Sequence, residues 1–152
     1  MSQRYGLEIR AATAADAASL ARWLGGDGPS IDPRALAERI EALRADPGAV
    51  LVAVEWGPPS GLVALHWYRT LTGAARTAQI TMLHVGADDR RRGLGRLLLK
   101  AAAQAARVAG CDAMEMTMPA DRPDLRAFCA AAGFVEAGTC VTRPLRKKGP
   151  GA

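Results

Sequence analysis

Ile80-Thr81-Met82-Leu83-His84-Val85-Gly86-Ala87-Asp88-Asp89-Arg90-Arg91-Arg92-Gly93-Leu94-Gly95-Arg96-Leu97-Leu98 reads as a strand, a short loop and the opening of a helix. The apolar run ends at Val85, residues 86–92 turn from acidic to basic, and Gly93-Leu94-Gly95 leads into an apolar helix. Glycine lets the backbone approach a ligand closely, and the first helical turn carries N–H groups with no intrahelical partner. Aligned peptide dipoles add positive potential at the same place. Such a segment accommodates an anion, and Arg90, Arg91, Arg92 and Arg96 reinforce it. A solvated basic turn would present the same residues.

Upstream, residues 7–11 form a short strand. Thr13 followed by Asp16 is a helix-start pattern in which each end satisfies the other's donors, predicting a helix to about Leu24. Asp32-Pro33 sets an N-cap before a proline at the first helical position, and Leu36, Ile40 and Leu43 recur at helical spacing. Residues 50–54 and 62–68 flank a Gly57-Pro58-Pro59-Ser60-Gly61 turn and predict an antiparallel hairpin. With residues 79–85 they make a meander. Downstream, the pattern predicts a helix over 93–109, a strand over 113–118, a helix over 123–132 ended by Gly133, and a last strand over 134–141. The resulting order is β-α-α-β-β-β-α-β-α-β, a mixed sheet with helices packed on it.

The chain has 152 residues, 49% of them hydrophobic and 23% charged, the balance of one globular domain. We assign it to residues 1–146, with a flexible basic tail over 147–152. Cys111, Cys129 and Cys140 lack metal-ligand spacing, and only two histidines are present, so neither a metal nor a disulfide framework is expected. No secretory leader and no apolar run of about 18 residues is evident, which predicts a cytoplasmic protein without a membrane partner. The net charge is +5, and all the basic residues except Lys100, Lys147 and Lys148 are arginine. That balance favours anionic ligands without choosing among them.

Two nucleotide motifs fail against the loop. The Gly-x-x-x-x-Gly-Lys-Ser/Thr pattern is absent, and the dinucleotide fingerprint needs a third glycine where Leu98 stands.

Arg90-x-x-Gly93-x-Gly95 instead resembles the acyl-CoA loop, Arg/Gln-x-x-Gly-x-Gly/Ala, of the GNAT superfamily of N-acetyltransferases. The preceding Leu83-His84-Val85 and the later Phe128-Cys129-Ala130-Ala131-Ala132-Gly133-Phe134 are similar to the family's strand and its late helix and turn. The resemblance spans nearly the whole chain and is most specific over residues 79–135. It implies an α/β (α+β) fold with a mixed, mostly antiparallel central sheet of about six to seven strands and about four helices. It also implies acetyl-CoA as cosubstrate, with its pyrophosphate on Arg90, Arg91, Arg92, Gly93, Leu94, Gly95 and Arg96. The pantetheine arm would lie along Leu83 and Val85, in a gap where two parallel strands splay. The implied reaction is direct attack of a primary amine of a small molecule or peptide on the thioester.

The sequence departs from the family pattern at three places. Cys129 stands where a tyrosine acid is common, Arg122 stands where an asparagine often meets pantetheine, and Thr81 and Met82 occupy the usual place of a strand acid. Arg122 is then a candidate for a CoA phosphate. His84 becomes the leading candidate base, since imidazole titrates near neutrality with an ordinary pKa of about 6.5, and His66 on the adjacent strand is the second. Cys129 is a candidate proton donor, or a packed thiol. Glu55 and Glu115 read as exposed strand residues and weaker bases. Aromatic residues Trp23, Trp56, Trp67 and Tyr68 line the acceptor side or belong to the core.

Three functions compete. An acetyl-CoA-dependent N-acetyltransferase and a CoA-binding module with little turnover both predict cofactor binding, and turnover separates them. A basic nucleic-acid-binding domain predicts steeply salt-dependent association, but no recognition motif accompanies the charge, so no nucleic-acid partner is expected. The family is often dimeric, which makes a homodimer compatible with the resemblance.

Overall fold

The computed structural model describes residues 6–25, 30–86 and 93–146. The chain divides into two compact units, Met1–Met116 and Thr117–Ala152.

In the first unit β1 (Glu8–Ala11) leads through a single 3-10 turn (Ala14–Asp16) into α1 (Ala17–Gly25) and α2 (Pro33–Ala45). Three strands follow, β2 (Gly48–Val54), β3 (Gly61–Tyr68) and β4 (Arg76–Val85), then α3 (Leu94–Val108) and β5 (Cys111–Met116). The five strands form one sheet in sequence order. All neighbours are antiparallel except β4 and β5, which are parallel and joined by the α3 crossover.

Local chemistry fixes the helix starts. The Asp16 carboxylate accepts from the Thr13 N–H at 2.9 Å, as the helix-start pattern predicts, and also takes two bonds of 2.8 Å from the Arg10 guanidinium. Asp32 caps α2 by accepting from the Arg34 N–H at 3.2 Å, with Pro33 in the first turn.

The sheet alternates between two apolar faces. Val50, Val52, Leu62 and Ala64 pack with Leu20 and Ile40 of α1 and α2. The opposite face carries Val63, Leu65, Ala78 and Ile80, all buried, and meets α3, whose Leu94, Leu98, Leu99, Ala102 and Ala106 are buried at helical spacing. Each large aliphatic side chain so buried contributes about 2 kcal/mol. Gly61 permits the close approach of α3: a Cβ there would lie 2.7 Å from Leu98 Cδ1.

The second unit contains α4 (Pro123–Ala131), ended by a paired-bond glycine cap. Gly133 has φ 95°, its N–H donates to the Ala130 carbonyl at 3.1 Å, and the Phe134 N–H donates to the Cys129 carbonyl at 2.9 Å.

The sheet has five strands, not six to seven. The strand expected over residues 134–141 does not form: the segment has no strand assignment, and Val135 and Val141 are 86% and 88% exposed. An extended segment becomes a strand only when a neighbouring edge takes its N–H and C=O groups, and Gly138 further weakens this one. The expected basic tail over 147–152 lies outside the described residues.

Candidate active site

The site is organised by the end of β4. β5 pairs with β4 only from Arg76 to Ile80, where Ile80 faces Met116, whereas β4 continues to Val85. At the point of departure β4 is irregular. Ala64 of β3 faces Met82 and Leu65 faces Ile80, so Thr81 is the extra residue of a bulge. The parallel pairing therefore ends beside the bend in β4.

Beyond the bulge the side chains of β4 are shared between the faces. Leu83 and Val85 lie opposite Val63 and Gly61 on the α3 face, while His84 lies opposite Leu62 on the face of α1 and α2. There the His84 imidazole meets the Trp23 indole edge-on, with centroids 4.5 Å apart and planes at 77°. The Gly86 N–H returns to the Ser60 carbonyl at 2.9 Å and holds the end of the strand.

Helix α3 begins at Gly93, whose φ of 77° is in the left-handed region that glycine enters without strain. The first intrahelical bond runs from the Leu97 N–H to the Gly93 carbonyl at 3.2 Å, and no side chain of a described residue caps this end. The N–H groups of Leu94, Gly95 and Arg96 precede that bond and lie at the positive end of the dipole. Leu94 is buried and Arg96 exposed, so the apolar side chain anchors the turn while the cation faces solvent. Arg90, Arg91 and Arg92 lie outside the described residues.

His66 on β3 hydrogen-bonds the Thr81 hydroxyl at 2.9 Å, which ties it to the bulge. It also heads a row across three strands, since His66 faces Gln79 and Gln79 faces Glu115. The Tyr68 hydroxyl donates to the Glu115 carboxylate, and that carboxylate pushes the phenol pKa up. The sequence marked Glu115 as an exposed strand residue and a weaker candidate base, and did not single out Gln79. Their alignment is a matter of register, which no local pattern encodes.

In the second unit, Arg122 precedes α4 and its guanidinium makes two bonds of 3.1 Å to Asp124, in full view of solvent. Cys129 is 1% exposed, and burial pushes its thiol pKa up. No cluster of three or more metal-ligating side chains occurs among the described residues, and none of their helices is long and apolar enough to cross a membrane.

A strand that outruns its parallel neighbour, followed by a glycine-opened helix, is the arrangement the sequence motif implied. A model of the acetyltransferase (GNAT) family matches residues 17–134. The chain belongs to the GNAT acetyltransferase family. Solved structures with this fold include a transcriptional regulator from Bacillus halodurans, with TM-score 0.83, 20% identity and coverage of 91% of this chain and 99% of that one. The glucosamine-6-phosphate N-acetyltransferase of Arabidopsis thaliana has TM-score 0.78 at 16% identity, covering 92% of this chain and 99% of that one. The aminoglycoside N-acetyltransferase AAC(6')-Iy, solved with CoA, has TM-score 0.80 at 17% identity, covering 97% and 99%. No curated protein matches significantly by sequence. The GNAT match includes the β4 end, the α3 start and α4, and so takes in every segment from which site residues were predicted.

Proposed function

We propose that the chain is an N-acetyltransferase that moves an acetyl group from acetyl-CoA to a primary amine of a small molecule or peptide by direct attack. The observation that carries this reading is the end of β4–β5 pairing at Ile80, with β4 continuing to Val85, within a GNAT chain whose next helix opens on a left-handed glycine. Anion-binding N–H groups of Leu94, Gly95 and Arg96 suit the pyrophosphate, with Arg90, Arg91 and Arg92 adding charge from the preceding loop. The edge of β4 that carries Leu83 and Val85 suits the amide-rich pantetheine arm. When bound, acetyl-CoA supplies an activated thioester.

Transfer forms a bond between the amine nitrogen and the acetyl carbon and breaks the carbon–sulfur bond; starting from the ammonium form the nitrogen loses two protons, one to the base before attack and one as the amide forms, and the departing CoA thiolate takes up one of them. His66 is the base this reading favours, because of its hydrogen bond to Thr81 at the bulge, beside the end of β4–β5 pairing. His84, the other candidate base, lies farther along β4 with its ring against Trp23 of α1. A backbone N–H of β4 beside the bulge would stabilise the oxygen of the tetrahedral intermediate.

The second reading, a CoA-binding module with little turnover, draws on one observation: the thiol at the family's usual acid position, Cys129, is 1% exposed. A calorimetric titration with acetyl-CoA, with NADH at equal concentration as control, tests the binding that both readings share. Amine-dependent release of free CoA thiol then separates them. Saturable acetyl-CoA binding with thiol release supports the enzyme, binding without release supports the module, and absence of binding removes both.

A further inference from the structure

The outer face of α3 is basic from end to end. Its 15 residues include Arg96, Lys100 and Arg107 and no acidic residue, and these three and Gln104 are all exposed. At about 3.6 residues per turn the three cations fall within roughly 40° of one another around the axis, and Arg107 stands about 16 Å beyond Arg96. The opposite face is committed to the sheet by Leu94, Leu98, Leu99, Ala102 and Ala106, so the basic row points outward. No ion pair among the described residues involves any of the three cations. Residues 87–92, just before the helix cap, carry three arginines against two aspartates and add no net negative charge. Arg96 stands in the first helical turn, where the dipole disfavours a cation. A cation at that end, with no acidic side chain on the helix to balance it, calls for an anion from outside.

A nucleotide with its pyrophosphate on the first turn of α3 accounts for Arg96. Arg107, about three turns further on, is engaged only by a partner that runs along the helix. Duplex nucleic acid carries a charge about every 1.7 Å and is met by a broad basic surface. This row offers one charged or polar side chain per turn and no aromatic side chain on which a base could stack. Carboxylates three and four residues apart on a second helix recur with the same period, so an acidic helix laid along α3 matches the row turn by turn. The phosphopantetheine arm that forms the inner part of CoA also occurs ester-linked to a serine of small acidic carrier proteins. Such a carrier brings together the two things this end of the molecule suits, a phosphate with its pantetheine arm and a helix of negative charge.

We infer that the face of Arg96, Lys100, Gln104 and Arg107 docks an acidic helix of an acyl carrier protein, whose acyl-phosphopantetheine arm enters the site along β4 in place of that of CoA. This rests on the transferase reading above and adds a second acyl donor to it. The phosphate on the carrier's serine meets the N–H groups of Leu94, Gly95 and Arg96 that suit the CoA pyrophosphate. The amine nitrogen bonds the acyl carbon, the carbon–sulfur bond breaks, and the pantetheine leaves on the carrier as a thiol. Of the two protons that an ammonium acceptor gives up, one goes to the base and one to that sulfur.

The test presents the full-length chain with a bacterial fatty-acid acyl carrier protein in its acetylated holo form. Calorimetry at low salt is expected to show saturable binding that weakens as salt rises. Lys100→Glu combined with Arg107→Glu is expected to weaken it about tenfold or more, because like charges then face the acidic helix. Arg107→Glu alone, remote from the first turn of α3, should weaken carrier binding severalfold and leave acetyl-CoA affinity unchanged, and Arg107→Lys should retain both. Circular dichroism verifies that each variant is folded. With an amine acceptor, acetyl-carrier should be consumed and carrier thiol released, with a KM for the carrier that rises in Arg107→Glu and a kcat that does not change. Absence of carrier binding, or binding indifferent to both reversals, in a chain that binds acetyl-CoA overturns the docking assignment and leaves the transferase reading intact. Binding of duplex DNA in the carrier's place, with the same dependence on Arg107, assigns the face to nucleic acid and overturns it as well. A wild-type chain that does not bind acetyl-CoA overturns the reading on which the inference rests, and the inference with it.

Discussion

His66 and Thr81 share a hydrogen bond of 2.9 Å, linking the middle strand to the one extra residue that bends its neighbour. The bend and the end of β5 pairing coincide, so an imidazole is held beside the last paired residues of the two parallel strands. A bulge at this place re-aims side chains and ends pairing together.

His66→Ala is expected to lower kcat for a primary amine by about a hundredfold near neutral pH, the ordinary worth of a positioned base. The deficit should shrink as pH rises, because the amine then reaches the site already neutral. A pH profile of wild type and variant checks this. A loss of the same size at every pH would assign His66 to support of the bulge. Thr81→Val, which keeps the β-branched shape and removes the hydroxyl, is expected to reproduce a smaller part of the effect.

Gly95→Trp is expected to weaken acetyl-CoA binding by at least an order of magnitude, since an indole would stand over N–H groups of the first turn of α3. Calorimetry on the variant, with circular dichroism as a check on folding, measures it. Unchanged affinity in a folded variant would remove the start of α3 from the cofactor site.

Asp16→Asn is expected to destabilise the chain by about 2 kcal/mol at neutral pH, because the Arg10 guanidinium loses its charged partner at an 8% exposed position. The Arg10 bonds, with the Thr13 N–H, hold the Asp16 carboxyl below its ordinary value of 3.8. A depressed carboxyl stabilises the folded state above its unfolded pKa and loses that contribution as pH falls through the folded value. Thermal melts of wild type and variant should therefore differ most at neutral pH and converge as pH falls through the depressed folded-state value.

Cys129→Ala is expected to cost about 1 kcal/mol of stability through the small cavity it leaves, with kcat nearly unchanged. Denaturant unfolding and steady-state kinetics read the two effects separately. A fall in kcat at constant KM would instead assign the thiol as proton donor to the departing CoA sulfur, a role compatible with a thiol that burial keeps protonated.

Much of this molecule was legible in short stretches of chain. The Thr13 and Asp16 start, the Asp32-Pro33 cap, the β2–β3 hairpin and the Gly133 stop all depend on interactions within a few residues, and the structure contains each of them. Gly93-Leu94-Gly95 likewise announced a helix start suited to an anion, because a left-handed glycine and unpaired first-turn N–H groups are local properties. The last strand was misread for the complementary reason. Residues 134–141 have strand-like composition, but a strand exists only through a partner edge, and among the described residues β5 pairs with β4 alone. The same dependence on neighbours hid the row of His66, Gln79 and Glu115, drawn from three strands far apart in sequence, and the bulge that places Thr81 beside His66. Sequence determined the elements and the anion-binding turn, since those energies are settled within a helical turn or a hairpin. Tertiary structure alone decided which side chains share a face, because a one-residue change of register moves every side chain to the opposite side of the sheet.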